Sequence, residues 1–308
     1  MDVQVLIVTG LTAVYAVCFV AIKAGLSFAP PLLFAGLRTL IAGFSILGLL
    51  IVLRRPIIPP RSAWLWIAPL ALTATTFAYG AMFAGPGRTG AGITSVLGNA
   101  QPLFVTAMAA VALGERMTHG KWVTLGLGLT GVVAMAAPAM LTGDVFGLSG
   151  AVLALASAGA FAAGSVLIKR MDPGPDLLPV TAWQLILGSL VLLASSRIAE
   201  RGGRVIWSNE FLSLLIFLAV PGTAVATSAW YWLVQGKDVG RLAMFFFLVP
   251  VFGLALASVT YGEQIGLFQA AGAMFILAGS GVTVVEDRQV NGPLPGRMAS
   301  WLGHRPNE

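Results

Sequence analysis

The chain has 308 residues, of which 57% are hydrophobic and only 10% charged, and its mean hydropathy is +0.89. A soluble domain carries nearer ~25% charged residues, so the composition excludes a water-soluble globule and implies a bilayer protein. The formal net charge of +6 raises the question of nucleic acid, while a single cysteine, Cys18, excludes a disulfide framework and a thiol metal cluster.

Ten apolar runs of roughly 20 residues, the length that crosses a ~30 Å hydrocarbon core, follow one another along the chain. They fall near 3–22, 32–53, 63–85, 90–113, 122–140, 148–168, 178–196, 211–233, 240–261 and 264–285. Alternating strand patterns are absent, which excludes a β-barrel, and the short connections leave no room for a separate catalytic domain.

The first run begins at Met1-Asp2-Val3 without a basic leader or cleavage site, so it is expected to stay in the mature protein. It holds Tyr15 and Cys18 and ends at Lys23. The second carries Arg38, about a third of the way in, too deep for easy snorkelling. As a site residue this arginine would hold a substrate carboxylate; as a structural one it would bond the carbonyls of a neighbouring helix. The third run brings Tyr79, flanked by Trp64 and Trp66 at its end. The fourth brings Asn99 and Gln101, whose amides need partners in hydrocarbon, and then Pro102.

In the later runs Phe161, Trp183, Gln184, Trp230 and Phe246 are the mid-span aromatic and polar positions. With Tyr15, Arg38, Tyr79, Asn99 and Gln101 they form the candidate lining of a solute cavity, against the alternatives of ordinary core packing or an interfacial aromatic belt. The end of the chain, residues 286–308, contains Gly292, Pro293, Pro295 and Gly296 and reads as a polar tail.

The chain is internally duplicated. Ser95 to Glu115 and Ala243 to Glu263 each hold a proline within an apolar run that ends in Gly-Glu, and Pro102/Pro250, Gly114/Gly262 and Glu115/Glu263 share one offset of 148 residues. Residues 14–23 align with 160–169 at an offset of 146, which puts Tyr15 over Phe161, Lys23 over Lys169 and, in the next run, Arg38 over Gln184. Two repeats, 3–140 and 148–285, therefore carry five runs each. An odd number makes the second enter the membrane from the opposite face, so the repeats are inverted.

Pro102 and Pro250 read as kinks that shape the cavity or hinge a gate, or else as static packing kinks. Glu115 and Glu263 read as helix-end residues, with a carboxylate favouring the N-terminus of the following helix.

With a cytoplasmic N-terminus, twelve basic residues fall on the inner side, among them Arg54, Arg55, Arg61, Lys169 and Arg170, and five on the outer, Lys23, Arg88, Arg197, Arg201 and Arg204. This is the positive-inside asymmetry, so the basicity reflects topology rather than a nucleic-acid footprint. Both termini are expected in the cytoplasm of a plasma-membrane or bacterial inner-membrane protein.

No Asp or Glu occupies mid-span, which disfavours proton-driven exchange of an organic cation and favours a neutral, zwitterionic or weakly anionic solute. The two histidines, His119 and His304, lack carboxylate partners at metal-ligand spacing, so neither an enzyme nor a metal site is expected, and no cofactor. A passive channel would show a polar stripe along one helix, which is missing.

The Ile-Lys that ends the first run of each repeat, Leu37-Arg38 in the second run, and the proline-bearing fourth run ending in Gly-Glu resemble the ten-helix EamA-type transporters of the drug/metabolite transporter superfamily. The resemblance covers about residues 3–285. It departs where Gln184 replaces Arg38 in the second half, and where Tyr15 and Cys18 occupy the region in which the small four-helix multidrug exporters of that superfamily carry a glutamate. It implies an all-α membrane protein of ten transmembrane helices, two inverted five-helix repeats around a central cavity, with helices five and ten at the periphery. The implied function is alternating-access transport of small organic metabolites, amino acids or related compounds, in the export direction, with a small-molecule solute and the lipid bilayer as partners. Uptake, or exchange of the nucleotide-sugar kind with more cavity Lys and Arg, is the alternative. The oligomeric state is open.

The charge asymmetry makes a direct prediction. Reporter tags at residues 2 and 308 should both report from the cytoplasm and a tag near Gly202 from outside; an external C-terminal tag would refute the inverted-repeat count.

Overall fold

The computed structural model describes residues 3–113, 117, 119–171, 176–201, 203–236, 248–262 and 264–291. Glu115, Glu263 and Phe246 lie outside the described residues, and of Pro102 and Pro250 only the helical backbone is described. Among the described residues the secondary structure is all helical. Seven stretches are long and apolar enough to cross a membrane: Pro31–Val52, Arg61–Thr89, Ala91–Ala112, Leu125–Thr142, Val145–Arg170, Leu177–Ala199 and Asn209–Leu233.

In chain order the helices are α1 (Val3–Gly25), α2 (Pro31–Val52), α3 (Trp64–Leu70), α4 (Ala78–Ala84), α5 (Pro86–Thr89), α6 (Ala91–Gly98), α7 (Gln101–Leu113) and α8 (His119–Thr142). They continue as α9 (Val145–Arg170), α10 (Leu177–Ala199), α11 (Asn209–Ala219), α12 (Ala226–Gly236), α13 (Leu248–Tyr261) and α14 (Leu267–Asn291). The last helix continues through residues 286–291, past the end of the apolar run at 285.

Three of the stretches are interrupted, and each interruption has a sequence cause. A wide π-helical turn, Ala71–Phe77, joins α3 to α4, and a second, Val220–Val225, joins α11 to α12. Pro69 precedes the first and Pro221 sits inside the second, and a proline withholds the N–H that the regular ladder needs. The displaced carbonyls are taken up by threonines reaching back five residues: Thr76 Oγ1 donates to Ala71 O at 3.0 Å and Thr223 Oγ1 to Leu218 O at 2.9 Å.

The third interruption corrects the expectation of one proline-bent helix over 90–113. The helix stops at Gly98, turns at Asn99 and Ala100, and α7 restarts with Pro102 as its second residue. Proline is favoured there because the first-turn N–H groups have no intrahelical partner. Pro250 is the third described residue of α13, and the residues before Leu248, 237–247, lie outside the described ones.

Packing relies on small residues. α8 and α14 run against each other, as do α2 and α10. A methyl group on Gly131 would stand 2.6 Å from Gly272 O, and one on Gly272 would stand 2.6 Å from Gly131 O, so the two backbones touch where only glycine fits. Large apolar side chains such as Phe44, Leu65, Val111, Leu141 and Val259 are exposed on the outside of the bundle, as a lipid-facing surface requires.

The two ends of the bundle are tied differently. At one end Glu200 accepts from Leu32 N at 2.7 Å, Leu33 N at 3.0 Å and Ser196 Oγ at 2.6 Å, sealing the open N-terminus of α2. Arg88 at that end bonds Ser149 and stacks on Phe146. At the opposite end Trp183 Nε1 donates to Ile57 O at 2.9 Å and packs on Trp64, Arg55 meets Asp176 at 3.5 Å, and Arg170 donates to Ala112 O near the close of α7.

The glycine contact between α8 and α14 leaves no room for a methyl group. Gly272→Ala should therefore lower unfolding stability in detergent by about 1–3 kcal/mol through overpacking, whereas Gly126→Ala, with open space around its Cβ position, should leave the melting temperature unchanged.

Candidate functional site

The break between α6 and α7 opens onto a cavity walled by five further helices. Its free volume is about 70 Å³. α1 contributes Tyr15 and Phe19, α2 contributes Arg38, and α4 contributes Tyr79 and Met82. The break between α6 and α7 presents Gly98, Asn99 and Gln101, α9 presents Ser157, Phe161 and Ser165, and α12 presents Thr227, Trp230 and Tyr231. A second cavity, about 220 Å³, lies between helix ends and is lined by Lys23, Thr89, Ile93, Gln264 and Gln269. Beside it Lys23 Nζ stands 4.4 Å over the Tyr261 ring, and Tyr261 donates to Val20 O at 2.8 Å.

Arg38 is the only charged side chain among the described lining residues, and it is 1% exposed. Its Nε donates to Leu218 O at 3.0 Å and to Thr223 Oγ1 at 2.6 Å, and its Nη2 to Gly222 O at 3.1 Å, with Cys18 Sγ at 3.7 Å. It thus holds the second π-helical turn. Gly222 permits the approach, since a methyl group there would stand 2.8 Å from Cys18 Sγ and 3.3 Å from Arg38 Nη2. The rings of Tyr79 and Phe83 flank the guanidinium at 5.2 and 5.4 Å. Nη1 is buried with no hydrogen-bond partner.

The remaining lining is aromatic and hydroxyl-bearing. Tyr79 meets Phe161 edge to face at 5.2 Å, and its hydroxyl lies 3.2 Å from Thr227 Oγ1. Ser165 Oγ accepts from Trp230 Nε1 at 3.1 Å and from Gln101 Nε2 at 3.2 Å, and donates to Phe161 O at 3.0 Å. Asn99 Nδ2 donates to Ser95 O at 2.6 Å, closing the last turn of α6.

Of the ten residues proposed from sequence, seven meet at this cavity: Tyr15, Arg38, Tyr79, Asn99, Gln101, Phe161 and Trp230. Gln184 is fully buried behind the wall, where its amide pairs with the Tyr231 hydroxyl at 2.9 Å, and Trp183 lies at the end of the bundle against Trp64. Phe246 is outside the described residues.

Sequence reasoning passed over Phe19, Met82, Gly98, Ser157, Ser165, Thr227 and Tyr231, residues of types that recur throughout the apolar runs. The repeat offset was the available signal. Thr227 is 148 residues after Tyr79, Trp230 is 148 after Met82, and Ser165 is 146 after Phe19, so lining residues occur in equivalent pairs.

The EamA-like transporter family is matched twice along the chain, over residues 3–137 and 148–285. The chain is 31% identical over 281 residues to a probable amino-acid metabolite efflux pump of Salmonella typhimurium, covering 88% of this chain and 91% of the relative. It is also 31% identical over 258 residues to the uncharacterized transporter YvbV of Bacillus subtilis, covering 83% of each. A protein of the first name from Escherichia coli is 28% identical over 281 residues, 88% of this chain and 91% of that one. A solved crystal structure superposes with a TM-score of 0.69 at 18% identity, covering 94% of this chain and 99% of the other, which establishes the shared fold.

The Ser165 hydroxyl accepts from two N–H donors at once, one buried and one partly buried. Ser165→Ala removes both hydrogen bonds and should lower stability by about 1–3 kcal/mol, a change visible as a reduced melting temperature of the purified protein.

Proposed function

The chain belongs to the EamA-like transporter family, and on that footing we propose that it moves small organic metabolites, amino acids or related compounds, out of the cell by alternating access. The observation that carries this reading is that residues from both family-matched halves wall one cavity, several of them in equivalent pairs such as Tyr79 with Thr227 and Met82 with Trp230. Relatives named as probable amino-acid metabolite efflux pumps support the substrate class and the direction.

In this reading the protein has ten transmembrane helices as two inverted repeats, 3–140 and 148–285, with a polar tail over 286–308 and both termini cytoplasmic. Tyr15, Arg38, Tyr79, Asn99, Gln101, Phe161 and Trp230 contact the solute, while Gln184 braces the wall from behind through Tyr231 and Trp183 packs at the end of the bundle. Phe246 is assigned to the solute, and Glu115 and Glu263 to helix ends, by their sequence positions alone.

Pro102, in the first turn of a restarted helix, and Pro250, its equivalent in the second half at an offset of 148 residues, are the hinges. A restarted helix swings about its break more readily than an unbroken one bends, because the break has no continuous hydrogen-bond ladder to deform.

Reconstitution in proteoliposomes tests the reading. Counterflow of a radiolabelled amino-acid and metabolite panel should reveal at least one solute moved only when the protein is present. Pro102→Ala and Pro250→Ala should insert normally and slow that flux by roughly tenfold, the effect of about 1.4 kcal/mol on a barrier. Wild-type rates together with unchanged cysteine accessibility from both sides would reduce the prolines to packing features, and protein-independent flux for every solute would refute transport of this class.

A further inference from the structure

We infer that the central cavity recognises a monocarboxylate with an apolar or aromatic body, anchored by Nη1 of Arg38, and discriminates against solutes that also carry a positive charge. The inference rests on the transport reading and, within it, selects the related monocarboxylates over the amino acids themselves.

The argument starts from the guanidinium. Nε and Nη2 are occupied by the backbone and hydroxyl of the interrupted α11–α12 stretch, so they hold Arg38 in place. Nη1 alone has no acceptor although it is buried. A buried donor without an acceptor is costly, and costlier on a cation, so the arrangement is completed by a group that brings an acceptor and preferably a negative charge. Because only one nitrogen remains, the geometry offers a single charge-assisted bond rather than the forked pair that a fully free arginine gives.

Charge balance gives the second part. Among the described lining residues there is no Asp or Glu. The equivalent position in the other half is neutral Gln184, engaged with Tyr231. The equivalent of Thr223 is Thr75, whose hydroxyl is buried with no partner, since no arginine reaches that first π-helical turn. The cavity therefore has one positive pole and no negative one. A carboxylate neutralises it. An amino acid would bring an ammonium group that finds ring faces, engaged hydroxyls and the neutral amide oxygens of Asn99 and Gln101, but no carboxylate among the described lining residues to balance its charge.

The third part is the body of the solute. Tyr79 and Phe161 meet at a right-angled corner and Trp230 is fixed by Ser165, so an apolar or planar group is met by rigid aromatic surface.

The test compares charge states on one scaffold, with full-length protein in lipid nanodiscs titrated calorimetrically. 3-Phenylpropionate, phenylalanine, 3-phenylpropionamide and 3-phenylpropylamine are respectively anionic, zwitterionic, neutral and cationic. The anion should bind about tenfold more tightly than the neutral amide, the ratio expected of one charge-assisted hydrogen bond, and more tightly than phenylalanine, with the amine weakest. In Arg38→Gln the ratio of anion to amide should fall to about one. If that variant does not fold, the wild-type series decides alone.

Equal binding of anion and amide, tighter binding of phenylalanine than of 3-phenylpropionate, a ratio unchanged in a folded Arg38→Gln protein, or no binding by any of the four would each overturn the inference. None of those outcomes touches the transport reading, which fails only if the flux assay finds no protein-dependent movement.

Discussion

Backbone N–H and C=O groups inside a bilayer have no water to bond with, so every departure from a regular helix must be satisfied by the protein itself. Among the described residues three such departures, at residues 71–77, 99–100 and 220–225, fall inside stretches of membrane-crossing length, beside a bend at Gly85 near the end of its stretch. Each departure is repaired locally by a side chain of the same stretch: Thr76, Asn99 and Thr223. Only the last also recruits a charged residue from another helix, Arg38. The break at 99–100 lines the cavity itself, while the turn at 220–225 reaches it through Arg38, and irregular backbone is tolerated inside a bilayer only when it is buried in protein or lines a cavity.

Association of the helices has to proceed without a hydrophobic driving force between them, since lipid tails are as apolar as leucine. Close backbone approach supplies the substitute. The reciprocal contact of Gly131 and Gly272 joins α8 to α14, and the Glu200 cap ties α10 to the start of α2 by two backbone hydrogen bonds. Both are built from helix pairs far apart in sequence, and both leave the lining of the cavity untouched. Scaffold and site are in this sense separable, with Arg38 as the residue that belongs to both.

Duplication explains why the site has paired walls, and divergence explains why it is not symmetric. A perfectly repeated chain would place an arginine at residue 184 and hold both π-helical turns in the same way. Here Gln184 turns to Tyr231 instead, and Thr75 keeps an unpartnered hydroxyl. The single charge makes the cavity electrostatically asymmetric, with the Arg38 guanidinium set among the rings of Tyr79 and Phe83.

The sequence by itself determined the class of structure, because hydropathy integrates over some twenty residues and tolerates error at any one of them. It also determined the duplication, through the register of Pro102 with Pro250, and the depth of Arg38, Asn99 and Gln101, because polar groups in an apolar run stand out. It misjudged the fourth apolar run, where a proline was read as a bend and in fact opens a new helix. What only the tertiary structure decided is which polar residue meets which. Ser165 and Thr227 look in sequence like any small helix-packing residue, and Leu218 and Gly222 offer Arg38 only their carbonyls, which every residue has. Side-chain identity carries no information about a backbone acceptor's availability, since that availability arises from a break in a helix on the other side of the cavity.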